Sequence, residues 1–89
     1  MKTIKFKSTP VNWRKEYLGL KNNTIRKQDD EDDVRFNILK DFVYCNLTIL
    51  NIEIKNTETK EVFSRLVTDV TLFDDYFIIS WKGEKEQSK

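Results

Sequence analysis

Gly19-Leu20-Lys21-Asn22-Asn23-Thr24-Ile25-Arg26-Lys27 closes one element and opens another. Glycine reaches positive φ without steric cost, so Gly19 ends a helix that Thr9 can cap and Pro10 can start, predicting a helix over 10–18. Lys21 then lies on the loop leaving that helix. Thr24-Ile25-Arg26 is β-prone, and the two-residue period of a strand puts Thr24 and Arg26 on one face and Ile25 on the other. A hydroxyl and a guanidinium therefore point the same way, with the Lys21 ammonium close behind. The segment reads as a site as well as a junction.

Upstream, Lys2-Thr3-Ile4-Lys5-Phe6-Lys7 alternates polar and apolar residues, the pattern of a half-buried first strand with Ile4 and Phe6 inward. Within the helix, Trp13, Tyr17 and Leu20 recur at helical spacing, which predicts the packing row and leaves Arg14, Lys15 and Glu16 to solvent. Downstream, five consecutive acids, Asp29 to Asp33, lead into Val34-Arg35-Phe36-Asn37-Ile38-Leu39-Lys40-Asp41-Phe42. Val34, Ile38 and Phe42 lie four apart, so a short amphipathic helix is expected, and acids in its first turn complement the helix dipole. Leu47-Thr48-Ile49-Leu50-Asn51-Ile52-Glu53-Ile54 predicts a strand with a phase change at Ile49-Leu50, read as a bulge or a doubly buried position. The polar turn 56–60 and the returning strand 61–67 make a hairpin with it. A short connection holding Asp69 and Asp74 then leads to Tyr76-Phe77-Ile78-Ile79-Ser80-Trp81, whose nearly continuous apolar character marks a central strand.

These elements add up to an α+β fold: a small, mostly antiparallel, partly closed β-barrel of about five strands with two short helices. An open sheet with both helices on one face is the alternative. Residues 1–82 form a single domain and 83–89 a polar tail.

Composition narrows the chemistry. A charged fraction of 35% with net charge +1 gives no global field to drive the chain onto duplex DNA or an anionic membrane, so anion binding must be local. The chain has no histidine, which removes Ser-His-Asp and Cys-His catalysis, and its single cysteine rules out an ordinary zinc site. No loop has EF-hand spacing, so neither a metal nor any other cofactor is expected. Lone Cys45 reads as a small buried hydrophobe in a reducing compartment. With no apolar run long enough to span a bilayer and no leader pattern, a cytoplasmic protein is expected.

Gly19, Lys21, Thr24, Ile25 and Arg26 resemble the early signature of the ASCH domains, which are PUA-like β-barrels: a helix ending in Gly, a basic residue, then Thr or Glu before an apolar residue and Arg. The segment 76–81 is similar to that family's closing strand. The Gly-Asp turn that precedes the family's central strand is absent, and the acidic helix stands in its place. The stretch 19–27 also resembles small proteins of phages and their Gram-positive hosts. The ASCH resemblance implies a cleft beside the helix end, used for nucleotides or RNA. One relative type is a minimal amidohydrolase acting on acylated cytidine, in which Lys21 would activate Thr24 as nucleophile and a later acid would donate the proton. Glu61, Asp69, Asp74 and Asp75 are all available for that third role, and their spacing selects none.

Three functions follow as expectations. The first is a non-enzymatic module that captures a nucleotide-like small molecule or a short RNA. For a phage-encoded protein in the host cytoplasm, that ligand could be a host nucleotide signal. Lys21 and Lys27 would meet phosphate, Arg26 would grip it as a fork, Thr24 with Asn22 or Asn23 would bond sugar or base, and Trp13, Tyr17 or Trp81 would stack. Core packing is the competing account of the aromatics, and a solvated strand edge that of the cations. The second is the amidohydrolase. The third is a protein-protein inhibitor whose acidic segment, Asp29 to Asp33, and exposed aromatics dock on a host enzyme. The exposed edges of a small sheet also allow a homodimer.

Overall fold

β1 (Lys2–Ser8) runs into α1 (Pro10–Tyr17) and β2 (Asn23–Lys27), followed by α2 (Val34–Val43), β3 (Leu50–Asn56), β4 (Val62–Phe73) and β5 (Tyr76–Trp81), in a computed structural model that describes residues 1–28 and 32–82. The strands form one five-stranded sheet in the order β1-β3-β4-β5-β2. Three ladders are antiparallel, while β1 pairs with β3 in parallel, Lys2 opposite Leu50. The result is the expected α+β class, a curled half-barrel with two helices. Asp29, Asp30, Glu31 and the predicted tail 83–89 lie outside the described residues. No described helix is long and apolar enough to cross a membrane.

The curl originates in β4. Its first half pairs with β3 and its second half with β5, and the register shifts between Val67 and Asp69. A bulge bends a strand and strengthens its twist, so the two halves of the sheet turn toward each other. The predicted connection around Asp69 is therefore strand, because β5 supplies the partner that continues it. β5 itself lies inside the sheet between β4 and β2, as its apolar run requires. The expected bulge at Ile49-Leu50 is absent: β3 begins at Leu50, and Ile49 is exposed ahead of it. Asn56 closes the β3–β4 hairpin, its Oδ1 accepting from the Glu58 and Thr59 amides at 2.9 and 3.1 Å.

Both helices pack by rows other than those predicted. In α2 the fully buried residues are Phe36 and Leu39, Ile38 and Phe42 pack at the margin, and Val34 is exposed. Phe36 meets Phe6 and Phe77 with ring centroids 6.2 and 5.3 Å apart, which seats the helix over the concave face. In α1 the buried residues are Trp13 and Glu16, while Tyr17 and Leu20 are largely exposed. The helix stops at Tyr17, so Leu20 lies past its end and off its face. Thr9 holds the N-cap position without a side-chain hydrogen bond, its carbonyl accepting from the Trp13 amide at 2.8 Å. Cys45, expected in the core, is exposed and left-handed (φ 66°) just past the end of α2.

Asp33 caps α2: Oδ1 accepts from the Arg35 amide at 3.0 Å, and Oδ2 takes the Arg35 guanidinium at 2.6 Å. Those Arg35 hydrogen bonds hold the carboxyl below the usual carboxylate range. Asp33→Ala is expected to lower stability by about 1 kcal/mol in urea denaturation at pH 7. A carboxyl depressed in the folded state stabilises above its unfolded value, so the difference between wild type and variant should shrink as pH falls below about 4.

Candidate functional site

The junction between α1 and β2 assembles a buried polar chain. Gly19 adopts φ 82°, and the Leu20 and Lys21 amides both return to the Lys15 carbonyl at 2.9 and 3.1 Å. This closure folds the loop back over the last helical turn and brings Lys21 Nζ to 3.6 Å from Glu16 Oε2. Glu16 Oε1 accepts from Ser8 Oγ at 2.9 Å, and Ser8 Oγ accepts from Arg26 Nη2 at 3.2 Å. Arg26 Nε donates to Thr24 Oγ1 at 3.0 Å, and Nη2 also reaches the Lys7 carbonyl at 2.9 Å. One helix, one loop and both edge strands thus meet in a single network.

The network lines a cavity of about 330 Å³ with Asn12 and Lys7 at its walls. Glu16 is 1% exposed, and its Oε2 makes no hydrogen bond within the described residues, only the ion pair with Lys21. A carboxyl oxygen without a hydrogen bond is an unused acceptor, and this one is buried in the wall of the cavity. Burial lowers the Arg26 pKa, Glu16 offsets that, and Arg35 adds to it. The guanidiniums of Arg26 and Arg35 both lie over the Phe6 ring, 4.7 and 4.5 Å from its centroid.

The predicted site residues divide. Lys21, Thr24 and Arg26 line the cavity together, with Thr24 and Arg26 on one strand face as the period of two requires. Asn22 is not part of its lining, and its carbonyl accepts from the Trp81 amide at 3.0 Å. Asn23 is exposed at the start of β2, and Lys27 lies at its far end, 6.0 Å from the Tyr76 ring. Trp13 and Trp81 belong to the core. Tyr17 stacks on Trp13 at 5.1 Å and borders a separate depression with Arg14 and Glu61. None of the four acids left open by spacing lines the cavity. Glu61 bonds Thr59, Asp69 bonds Thr71, and Asp74 and Asp75 form the β4–β5 turn.

Glu16 and Ser8 are the residues that sequence reasoning missed. Glu16 and Tyr17 flank Trp13 on either side of one helical face, and hydropathy favours Tyr17 as the buried neighbour. The usable signal is Lys21, a cation one turn past the helix, within reach of the last acid on it. Compared with family models, curated proteins and solved structures, the chain has no significant match in any of the three. Chemically, the arrangement offers a cation, a guanidinium, two hydroxyls and a buried acceptor. Among the described residues no group of acids, cysteines or histidines could hold a metal ion.

Proposed function

We propose that the protein is a non-enzymatic, ASCH-like binding module that captures a nucleotide-type ligand in the cavity between α1 and β2. The observation that carries this reading is Glu16, a buried carboxylate whose Oε2 has no hydrogen bond among the described residues and whose side chain lines a cavity with Lys21 and Arg26. Such a wall accepts from an amino or hydroxyl group of a base or sugar, while the cations meet phosphate beside it. Capture is favoured over hydrolysis because the Thr24 hydroxyl is already engaged by Arg26 and Lys21 is turned to Glu16. No hydrogen bond joins Lys21 to Thr24 among the described residues, so the nucleophile lacks its base.

Thermal unfolding against a panel of nucleotides tests the reading. A ligand at a hundred times its Kd should add about 2.7 kcal/mol, or roughly 10–20 °C for a domain of this size. Lys21→Met and Glu16→Gln should each reduce the shift, and Thr24→Ala should largely keep it. No shift with any nucleotide overturns the reading in favour of a protein partner. Hydrolysis of an acylated cytidine that disappears in Thr24→Ala overturns it in favour of catalysis.

A further inference from the structure

A second cleft, of about 540 Å³, adjoins the first and shares Lys7 and Arg26 with it. Lys5 and Lys7 project from the outer face of β1, and the register sets them beside Glu53 and Lys55 of β3. Arg35 closes one side, its Nη1 donating to the Lys5 carbonyl at 2.9 Å. Arg35 pairs with Asp33 and Arg26 feels buried Glu16, so among the described lining residues the excess charge comes from Lys5, Lys7 and Lys55 against Glu53. In a chain whose net charge is +1, this is a pronounced local concentration. Protection of a bare strand edge does not account for it. Arg26 and Arg35 already occupy carbonyls on the free edge of β1, and Lys55 lies on an interior strand.

We infer that this groove binds additional phosphates of the same ligand, so that the ligand is a nucleotide carrying two or more phosphate groups. The inference rests on the capture reading and specifies its ligand class. The nucleoside occupies the small cavity beside Glu16, the first phosphate meets Arg26 and Lys7 where the clefts join, and the rest of the phosphate chain lies between Lys5 and Lys55. Size supports a small molecule over a polymer, since the groove falls within the few-hundred-Å³ range of ordinary ligand sites. Lysines are suited to this role, as mobile point charges that follow a phosphate chain without fixed geometry.

Calorimetric titration of the full chain tests it, with the four ribonucleoside monophosphates, the four triphosphates and inorganic tripolyphosphate as probes. At least one triphosphate should bind about tenfold more tightly than its monophosphate, and the advantage should shrink as salt is raised. In Lys5→Gln/Lys55→Gln, both exposed positions, the ratio of triphosphate to monophosphate affinity should collapse toward one. Equal affinity for mono- and triphosphate in the wild type overturns the groove while leaving nucleotide capture standing. Tripolyphosphate binding as tightly as the best triphosphate upholds the groove and overturns the nucleoside reading. Binding of no probe overturns both.

Discussion

Trp13→Ala is expected to remove about 3–5 kcal/mol of stability, the range for emptying a large buried aromatic site. Trp13 is 8% exposed, donates its indole Nε1–H to the Ile54 carbonyl at 2.9 Å, stacks on Tyr17 at 5.1 Å and meets Phe63 edge-on at 5.5 Å. It is the one apolar residue that α1 buries, Glu16 being the other buried position. A domain of this length has roughly 4–13 kcal/mol in total, so the loss takes a large share. Glu16 and the approach to Lys21 ride on the same helix, and ligand binding should fall with stability. Trp13→Phe keeps most of the buried area and forfeits the hydrogen bond, so it should cost only about 1–2 kcal/mol. Urea denaturation followed by circular dichroism measures both. A loss under 1 kcal/mol in the alanine variant would show that α1 is held by something else.

Arg26→Ala carries the second large effect, because this side chain joins strands at opposite ends of the sheet order. β1 and β2 share no ladder, yet Arg26 of β2 bonds the Lys7 carbonyl and Ser8 hydroxyl of β1 while holding Thr24 on its own strand. Removing it breaks three hydrogen bonds and withdraws a cation from the neighbourhood of buried Glu16. About 2–3 kcal/mol is expected, since the side chain is half-buried and water can replace part of what is lost. Arg26→Lys keeps the charge and loses the fork, so it should recover less than half of that stability. Amide exchange provides the more specific readout: the Phe6 and Ser8 amides, which point into the β1–β3 ladder, should lose protection before those of β3 and β4. Uniform loss across the sheet would contradict a local seam.

Strand pattern was legible because its period is short and its consequences are local. Ile4 with Phe6, Leu50 with Ile52 and Ile54, and Thr24 with Arg26 all fall on the expected faces. Helix rows were less legible, since a short helix offers several rows and tertiary contact chooses among them. Phe36 was chosen by Phe6 and Phe77, which no local spacing reveals. The second half of β4, expected as a connection after the strand 61–67, is not legible locally because it owes its extension to β5. The cavity was legible where it comes from one contiguous segment, at Lys21, Thr24 and Arg26. Ser8 and Glu16 join it through the parallel pairing of β1 and the closure at Gly19. The groove of Lys5, Lys7 and Lys55 depends on a register between strands far apart in sequence, and charge composition averages it away.

β1 has β3 as its ladder partner and β2 has β5, so Lys2 awaits Leu50 and Lys27 awaits Tyr76. On a ribosome moving at about 5–20 residues per second, each of these strands therefore spends roughly 2–10 s without its partner. The middle of the sheet has no such delay, because β3, β4 and β5 follow one another through short turns. Vectorial synthesis thus produces the residues of the cavity early and assembles the cavity late.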